Sequence, residues 1–137
     1  MATFISNSAE ETESFGRQIA ENIKPGDVLA LTGGLGSGKT QFVKGLAAAL
    51  GVTTAATSPT FTLIHEYPGG PLPIYHLDFF RIEDRQAAEH LGLDYYFFGD
   101  GVSVIEWADR FADLIPATAR WISFETKSKT QRAITTK

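Results

Sequence analysis

Apolar residues recur along this chain at two different spacings, and each spacing predicts a type of element. Residues 28–31 form a short, wholly apolar run, which is typical of a buried parallel strand. Soon after it, apolar residues return at helical spacing and stop at Gly51, where a helix-ending glycine belongs; they are Phe42, Val43, Leu46, Ala47 and Leu50. The chain therefore contains a buried strand, a loop over residues 33–40 and an amphipathic helix, in that order.

A second amphipathic helix is predicted upstream of this unit. Its apolar residues lie at four-residue steps, namely Phe15, Ile19 and Ile23. Ser8 and Glu11 have the spacing of a capping box, in which the serine accepts a backbone hydrogen bond at the helix start. We expect a helix from residue 8 to about residue 22, preceded by a short strand over residues 3–6.

The second half of the chain alternates β-rich runs with short helical segments. Residues 61–67 and 74–79 flank a Gly/Pro-rich turn, which predicts an antiparallel hairpin. Strands are also predicted at 102–105, 121–124 and 132–135, helices at 84–91 and 109–114, and a loop or irregular turn at 93–98. We expect one α/β domain over residues 1–137, with parallel strands near the 33–40 loop and an antiparallel part elsewhere.

Composition narrows the classes of protein to which this chain can belong. The chain has 137 residues, of which 43% are hydrophobic and 20% charged, and it has no cysteine. This balance is typical of a globular domain, and the missing thiol excludes cysteine catalysis and disulfides. No run approaches a membrane span and no signal-peptide pattern is present, so we expect a cytoplasmic protein. The net charge of −4 argues against direct binding of nucleic acid by the whole protein.

The loop between the strand and its helix carries the strongest chemical signal. Residues 33–40 read GGLGSGKT, which matches the phosphate-binding pattern G-x-x-x-x-G-K-[ST], the P-loop. Its glycines let backbone N–H groups approach phosphate oxygens, and the following helix adds its positive dipole end. Lys39 is expected to reach the β- and γ-phosphates of a nucleotide, and the Thr40 hydroxyl to bind Mg²⁺. The context predicts a P-loop NTPase-like fold, a three-layer sandwich whose mixed sheet has a parallel core and an antiparallel hairpin.

Such a site requires a second carboxylate at the end of a buried strand. Glu106 and Asp78 are the two candidates for this carboxylate. Glu106 follows the more apolar run and is expected to face Thr40, whereas Asp78 ends an alternating strand, where it would orient water, bind around the metal or act as a general base. A helix cap or a surface ion pair is the alternative for each acid.

Several other polar residues remain open between a functional and a structural role. Thr60 lies in a small, polar segment after the P-loop helix, where a phosphate-sensing threonine or an ordinary loop residue would fit. His76 is interpreted as structural or solvent-facing. Trp107 is interpreted as a core residue, with stacking near the site as the alternative, and Arg81 as a charge stabiliser or a surface ion pair. The basic segment 127–137 is either solvated or a contact for phosphates or an acidic partner.

Four segments now occur in one order: GGLGSGKT, then SPTF (58–61), HLDFFR (76–81) and VIEW (104–107). This set resembles the TsaE family, also called YjeE, of small bacterial ATPases, over nearly the whole chain. The resemblance implies a Mg²⁺-dependent ATPase that acts with the TsaB and TsaD proteins to form threonylcarbamoyladenosine next to the tRNA anticodon. ATP hydrolysis would reset the complex between turnovers, and tRNA would be met only through that complex.

By position, the resemblance assigns the phosphates to Leu35, Gly36, Ser37, Gly38, Lys39 and Thr40. It assigns Mg²⁺ to Thr40 and Glu106, the switch role to Thr60, and support of hydrolysis to Asp78 and Trp107. It also implies that the first helix and the C-terminal end flank the adenine. Phe80 departs from the family, which commonly has tyrosine at that position. The alternative function is a small-molecule P-loop kinase, which would need an arginine-bearing lid and an acceptor pocket.

Overall fold

The computed structural model describes residues 2–34, 36–52, 64–67 and 70–137. Leu35, Thr60 and the first three residues of the predicted 61–67 strand lie outside these ranges. The strands are β1 (Ala2–Ser6), β2 (Val28–Thr32), β3 (Ile64–Tyr67), β4 (Ile74–Asp78), β5 (Val102–Glu106), β6 (Arg120–Thr126) and β7 (Arg132–Thr136). The helices are α1 (Ala9–Ala20), α2 (Lys39–Ala49), α3 (Arg85–Glu89) and α4 (Leu93–Phe97), with 3₁₀ segments at Phe79–Arg81 and Ala108–Leu114.

Within the described residues, seven strands form one mixed sheet in the order β1-β7-β6-β2-β5-β4-β3. The central strands β6, β2, β5 and β4 run parallel to one another. β3 pairs antiparallel with β4 on one side, and β7 and β1 add antiparallel pairs on the other. The predicted mixed sheet, with its parallel core and antiparallel hairpin, is therefore confirmed.

Each face of the sheet is covered by its own hydrophobic cluster. The first cluster packs α1 and α2 on one face and includes Leu31, Phe42 and Val104. The second lies on the opposite face, beneath α3, α4 and the 3₁₀ segments, and includes Leu77, Phe97 and Ile105. Successive strand residues alternate between the two faces, so strands buried on both sides read as nearly continuous apolar runs.

Helices α1 and α2 approach each other closely through two glycines. A Cβ at Gly45 would lie 1.9 Å from the carbonyl oxygen of Glu13, and one at Gly16 would lie 2.2 Å from that of Phe42. These contacts are with backbone atoms, which cannot rotate away. The rings of Phe15 and Phe42 pack nearby, with centroids 6.0 Å apart. The start of α1 is thereby fixed relative to the P-loop helix.

We expect Gly45→Ala to destabilise the protein by about 1–3 kcal/mol, because the added methyl must push the two helices apart. Alanine's better helix propensity offsets only about 1 kcal/mol of the gross cost. The control is Gly34→Ala, where a Cβ meets nothing within 4 Å. Urea denaturation of both variants checks this prediction, and equal stability of the two would contradict it.

The sequence-based expectation for residues 93–98 is wrong. These residues were expected to form a loop, but Leu93–Phe97 is a short α-helix that begins after Gly92, whose φ is 70°. Leu93 and Phe97 are buried four positions apart, whereas Tyr95 and Phe98 are exposed. Exposed aromatic residues obscured the helical pattern, because apolar residues then occupied both faces of the helix.

No helix among the described ranges is both long enough and apolar enough to cross a membrane.

Candidate functional site

The loop between β2 and α2 bends back on itself at the carboxyl edge of the parallel strands. Gly36 and Gly38 have φ values of 75° and 104°, which side chains with a Cβ rarely adopt. At Gly33, a Cβ would lie 2.5 Å from the carbonyl oxygen of Phe124. The Ser37 hydroxyl donates to the carbonyl oxygen of Gly34 at 2.7 Å and closes the turn. The loop thus delivers the chain into the N-terminus of α2, as the motif predicts.

Lys39, the first residue of α2, is a buried cation beside the loop. Its side chain is 5% exposed, and Nζ donates to the carbonyl oxygen of Gly33 at 2.6 Å. Nζ also lies 4.2 Å from the ring centroid of Trp107. Burial lowers the pKa of Lys39, while the carboxylates of Glu106, Asp78 and Asp109 oppose that effect. The ammonium group therefore sits in a poorly solvated place, where an anion would interact with it strongly.

Asp78 and Glu106 end two adjacent parallel strands and are paired with each other in the β4–β5 register. Both are buried, at 8% and 5% exposure. Each shares a strand face with residues of the first hydrophobic cluster, so both project toward α2. Sequence reasoning expected two acids at strand ends near the loop, and the sheet does bring them together.

Only one of these acids is seen to line the cavity at the P-loop. This cavity, of about 280 Å³, is lined by Gly36, Ser37, Gly38, Lys39, Thr40, Gln41 and Glu106. Glu106 lies on β5, directly beside the P-loop strand β2, and pairs there with Leu31. Asp78 lies one strand farther out, about 5 Å away in the direction of the hydrogen bonds. Glu106 and Thr40 thus share one cavity, as the sequence predicts.

Asp78 makes both a helix-cap contact and an ion pair, the two contacts predicted for it as the alternative to a catalytic role. Its Oδ1 accepts from the backbone N–H of Phe80 at 3.0 Å and caps the 3₁₀ segment. Its Oδ2 lies 3.4 Å from Nε of Arg81. This contact is the surface ion pair that is one of the two predicted roles of Arg81. Burial raises the pKa of Asp78 and the nearby Glu106 adds to this, against the Phe80 hydrogen bond and Arg81.

We expect Asp78→Asn to raise the thermal midpoint at pH 7. Burial raises the pKa of Asp78, so the charged carboxylate destabilises the folded protein. This destabilisation is complete at a pH above the folded-state pKa. That cost disappears as pH falls below the pKa of the unfolded chain, so the advantage of the variant should shrink in acid. Asparagine keeps the oxygen that accepts from Phe80. Thermal melts from pH 7 to pH 3 check this, with exposed Asp100→Asn as control; an unchanged or lowered midpoint at pH 7 contradicts it.

His76 is the site residue that sequence reasoning did not assign to the chemistry. It is completely buried, Nε2 lies 2.7 Å from Oε2 of Glu106, and Nδ1 lies 2.9 Å from the hydroxyl of Tyr67. The structural interpretation was therefore correct in part, and the solvent-facing one was wrong. The available signal was its position two residues before Asp78, which places both side chains on one strand face.

Trp107 has a more specific position than the predicted core role. Its backbone has a φ of 57°, a conformation uncommon for residues other than glycine. Its half-buried ring packs against the second hydrophobic cluster and also contacts Phe80, with centroids 4.9 Å apart. Phe80 is 58% exposed although it is hydrophobic. Trp107 therefore joins the core to the site at Lys39.

Leu35 and Thr60, which the sequence also assigned to the site, lie outside the described residues.

A second cavity, of about 380 Å³, lies on the other side of the loop. It is lined by Asn7, Ser8, Ala9, Thr12, Gly36, Gly38, Gln41, Lys129, Thr130 and Arg132. These residues come from the start of α1, the P-loop and the C-terminal segment. Arg132 donates from Nε and Nη2 to the carbonyl oxygen of Gly36, at 3.2 and 3.0 Å. The basic segment 127–137 is thus tied to the P-loop and includes strand β7.

Comparison with known proteins identifies the family. The family model described as "Threonylcarbamoyl adenosine biosynthesis protein TsaE" matches residues 6–134. The chain belongs to the TsaE family. Among curated proteins, the TsaE protein of Bacillus subtilis is 47% identical over 92% of this chain and 78% of its own length. That of Treponema pallidum is 39% identical over 96% of both chains. Both are named tRNA threonylcarbamoyladenosine biosynthesis proteins.

A solved structure supports the same conclusion for the fold. The crystal structure of YdiB from Bacillus subtilis superposes with a TM-score of 0.82 at 39% sequence identity. The match covers 98% of this chain and 83% of the other. The resemblance drawn from the four ordered segments is confirmed, and so is the α/β P-loop-like fold.

Proposed function

We propose that this TsaE-family chain is a Mg²⁺-dependent ATPase that acts in the formation of threonylcarbamoyladenosine beside the tRNA anticodon. The observation that carries the ATPase proposal is the convergence of the Lys39 ammonium and the Glu106 carboxylate on the cavity at the P-loop. The pathway follows from the names of the relatives. TsaB and TsaD are the proposed partners, and hydrolysis is proposed to reset their complex.

The described residues fit the phosphates of a nucleotide. The glycine conformations at 36 and 38 keep Cβ atoms out of the turn, so a phosphate can approach the backbone. The N-terminus of α2 offers the positive end of the helix dipole. Lys39 supplies a full positive charge whose present partners, a carbonyl oxygen and an aromatic ring, are weaker than a phosphate oxygen would be.

The same cavity fits Mg²⁺ bound to a nucleotide. Mg²⁺ at such sites takes one or two protein oxygens and completes its shell with phosphate oxygens and water. Thr40 and Glu106, which both line the cavity, are the residues that would hold it, through a hydroxyl and a carboxylate. When bound, the metal would neutralise the charge that develops on the phosphates.

The remaining residues have distinct proposed tasks. Lys39 is proposed to neutralise the β- and γ-phosphates. Asp78, one strand beyond Glu106 and next to the Phe79–Arg81 turn, is proposed to orient water. Trp107 covers the Lys39 side chain and keeps water away from it. The second cavity, between α1 and the C-terminal segment, is the proposed place for the adenine. Thr60 and Leu35 keep their proposed switch and phosphate roles from the family resemblance.

Phosphate release from ATP by the purified protein tests the proposal. We expect slow release that requires Mg²⁺ and rises severalfold or more when TsaB and TsaD are added together. The control is the same mixture with Lys39→Ala, which should remove the stimulated part. Absence of stimulation, together with phosphorylation of a small metabolite, would instead favour a P-loop kinase. Stimulation by TsaB and TsaD with the variant as active as wild type would place the hydrolysis elsewhere.

A further inference from the structure

A continuous line of polar side chains ends at Glu106, which lines the P-loop cavity. It runs from the Tyr67 hydroxyl to His76 and from His76 to the Glu106 carboxylate, over two contacts of 2.9 and 2.7 Å. The three residues come from three adjacent strands, β3, β4 and β5. The strand registers pair Tyr67 with Ile74 and Asp78 with Glu106, which puts all three side chains on the face that packs against α2.

The neighbours of this line are partly apolar and partly polar: His65 pairs with His76 between β3 and β4 and packs against Tyr67, and Asp78 lies two residues beyond His76. Tyr67 belongs to the first hydrophobic cluster, as do Ile74 and Val104, the neighbours of His76 along and across its strand. His76 has no exposed surface. A buried polar group without a partner costs free energy, so burial of an imidazole here requires that both ring nitrogens be satisfied. Both are satisfied, Nε2 by the Glu106 carboxylate and Nδ1 by the Tyr67 hydroxyl.

The chemistry of the partners fixes the direction of the hydrogen bonds. An ionised carboxylate can only accept, so Nε2 of His76 carries the proton and donates to Oε2 of Glu106. In a neutral ring Nδ1 then accepts, and the Tyr67 hydroxyl donates to it. The Glu106 carboxylate thus selects the Nε2–H tautomer, and Tyr67 satisfies the other ring nitrogen, so the ring presents its N–H to Glu106.

We propose that His76, hydrogen-bonded to Tyr67 through its other ring nitrogen, is a positioning residue for Glu106, and that it orients this carboxylate for the Mg²⁺ of a bound nucleotide. The proposal rests on the proposed ATPase function, because it requires that Glu106 meet the metal. Residues that orient metal ligands from behind typically contribute about 10- to 100-fold to metal affinity or activity. A histidine that only filled the core would contribute to stability and leave the metal dependence of nucleotide binding unchanged.

The first test needs neither a ligand nor a variant. Two-dimensional ¹⁵N–¹H spectra of the side-chain nitrogens of wild-type protein report which ring nitrogen carries a proton. A proton on Nε2 of His76 is expected, in the neutral ring or in the imidazolium, since both donate to Glu106. A neutral ring protonated only on Nδ1 would overturn the proposal, because that tautomer cannot donate to the carboxylate.

The second test measures ADP affinity with MgCl₂ and with EDTA, by calorimetry, for three variants. His76→Leu removes the donor, His76→Gln keeps an N–H near the position of Nε2, and Tyr67→Phe removes only the hydroxyl. In EDTA we expect all three to bind ADP within about twofold of wild type. With MgCl₂ we expect His76→Leu to lose about 10- to 100-fold of affinity, His76→Gln to restore most of it, and Tyr67→Phe to fall between them.

Circular dichroism and thermal melts establish which variants fold, and exposed His90→Leu is the matched histidine control. If His76→Leu does not fold, the effect of Mg²⁺ on ADP affinity in His76→Gln and Tyr67→Phe, compared with wild type, still tests the positioning role. Folded variants whose ADP affinity responds to Mg²⁺ as in wild type would overturn the positioning role. A wild-type protein that binds no ADP in either condition would instead remove the proposed function, and the spectroscopic test would still report on the hydrogen bond.

Discussion

Replacing Lys39 with alanine is expected to lower the rate of ATP hydrolysis about 100- to 1,000-fold, the usual cost of removing one preorganised charge-stabilising group. Lys39 is the cation that the fold buries beside the P-loop, with its ammonium 2.6 Å from the carbonyl oxygen of Gly33. Because this residue is buried, water solvates its charge poorly, and the pKa of Lys39 is lowered. A phosphate entering the cavity would therefore gain more from this ammonium than from an exposed lysine.

The fold is expected to survive this change, because alanine removes a buried charge and leaves α2 with a better helix former. Lys44→Ala is the matched control, since Lys44 lies on the same helix and does not line the cavity. Steady-state phosphate release, ADP calorimetry and a thermal melt of each variant make the comparison. Unchanged nucleotide affinity in folded Lys39→Ala would refute the phosphate-binding role of the loop.

The second large effect is expected for Glu106→Gln. This substitution keeps the shape of the side chain and an oxygen that accepts from His76, but it removes the negative charge at the cavity wall. We expect Mg²⁺-dependent hydrolysis to fall by more than the roughly 10- to 100-fold typical of outer residues of a metal site. ADP affinity in EDTA should stay the same or rise, because the nucleotide phosphates no longer face a carboxylate.

Asp78→Asn is the informative counterpart. Asp78 lies one strand farther from the P-loop and is held by Phe80 and Arg81, so we expect it to lower hydrolysis while leaving the Mg²⁺ dependence of ADP binding close to wild type. Mg²⁺ titrations of ADP affinity in both variants make the distinction. If Asp78→Asn loses the response to Mg²⁺ and Glu106→Gln keeps it, the proposed roles of the two acids must be exchanged.

Local sequence was sufficient where a signal depends on neighbouring residues. The β2 strand, the glycine turn and α2 follow from an apolar run, from glycines at positions of positive φ and from helical spacing. Ser8 accepts from the backbone N–H of Glu11, as its position in the capping box predicts. In these cases the interacting residues are separated by only a few positions, so the pattern alone specifies the contact.

Local sequence was insufficient where aromatic residues occur on both sides of an element. The α4 helix was missed because exposed Tyr95 and Phe98 stand beside buried Leu93 and Phe97. For Trp107, the residue pattern left a core role and stacking near the site as alternatives, because a tryptophan after an apolar strand fits both. A backbone φ of 57° turns this residue toward Lys39, and that conformation is set by tertiary packing.

The amino-acid pattern was sufficient to predict a phosphate-binding loop that joins a buried strand to a helix, and two acids at the ends of strands elsewhere in the chain. Four ordered segments were enough to indicate the family. The more apolar run before Glu106 favoured this acid, but its place beside the loop follows from the strand order, which depends on long-range pairing between strands. β5 pairs with β2 and β4 pairs with β5, so Glu106 reaches the cavity, Asp78 stands one strand away, and His76 comes to lie behind Glu106.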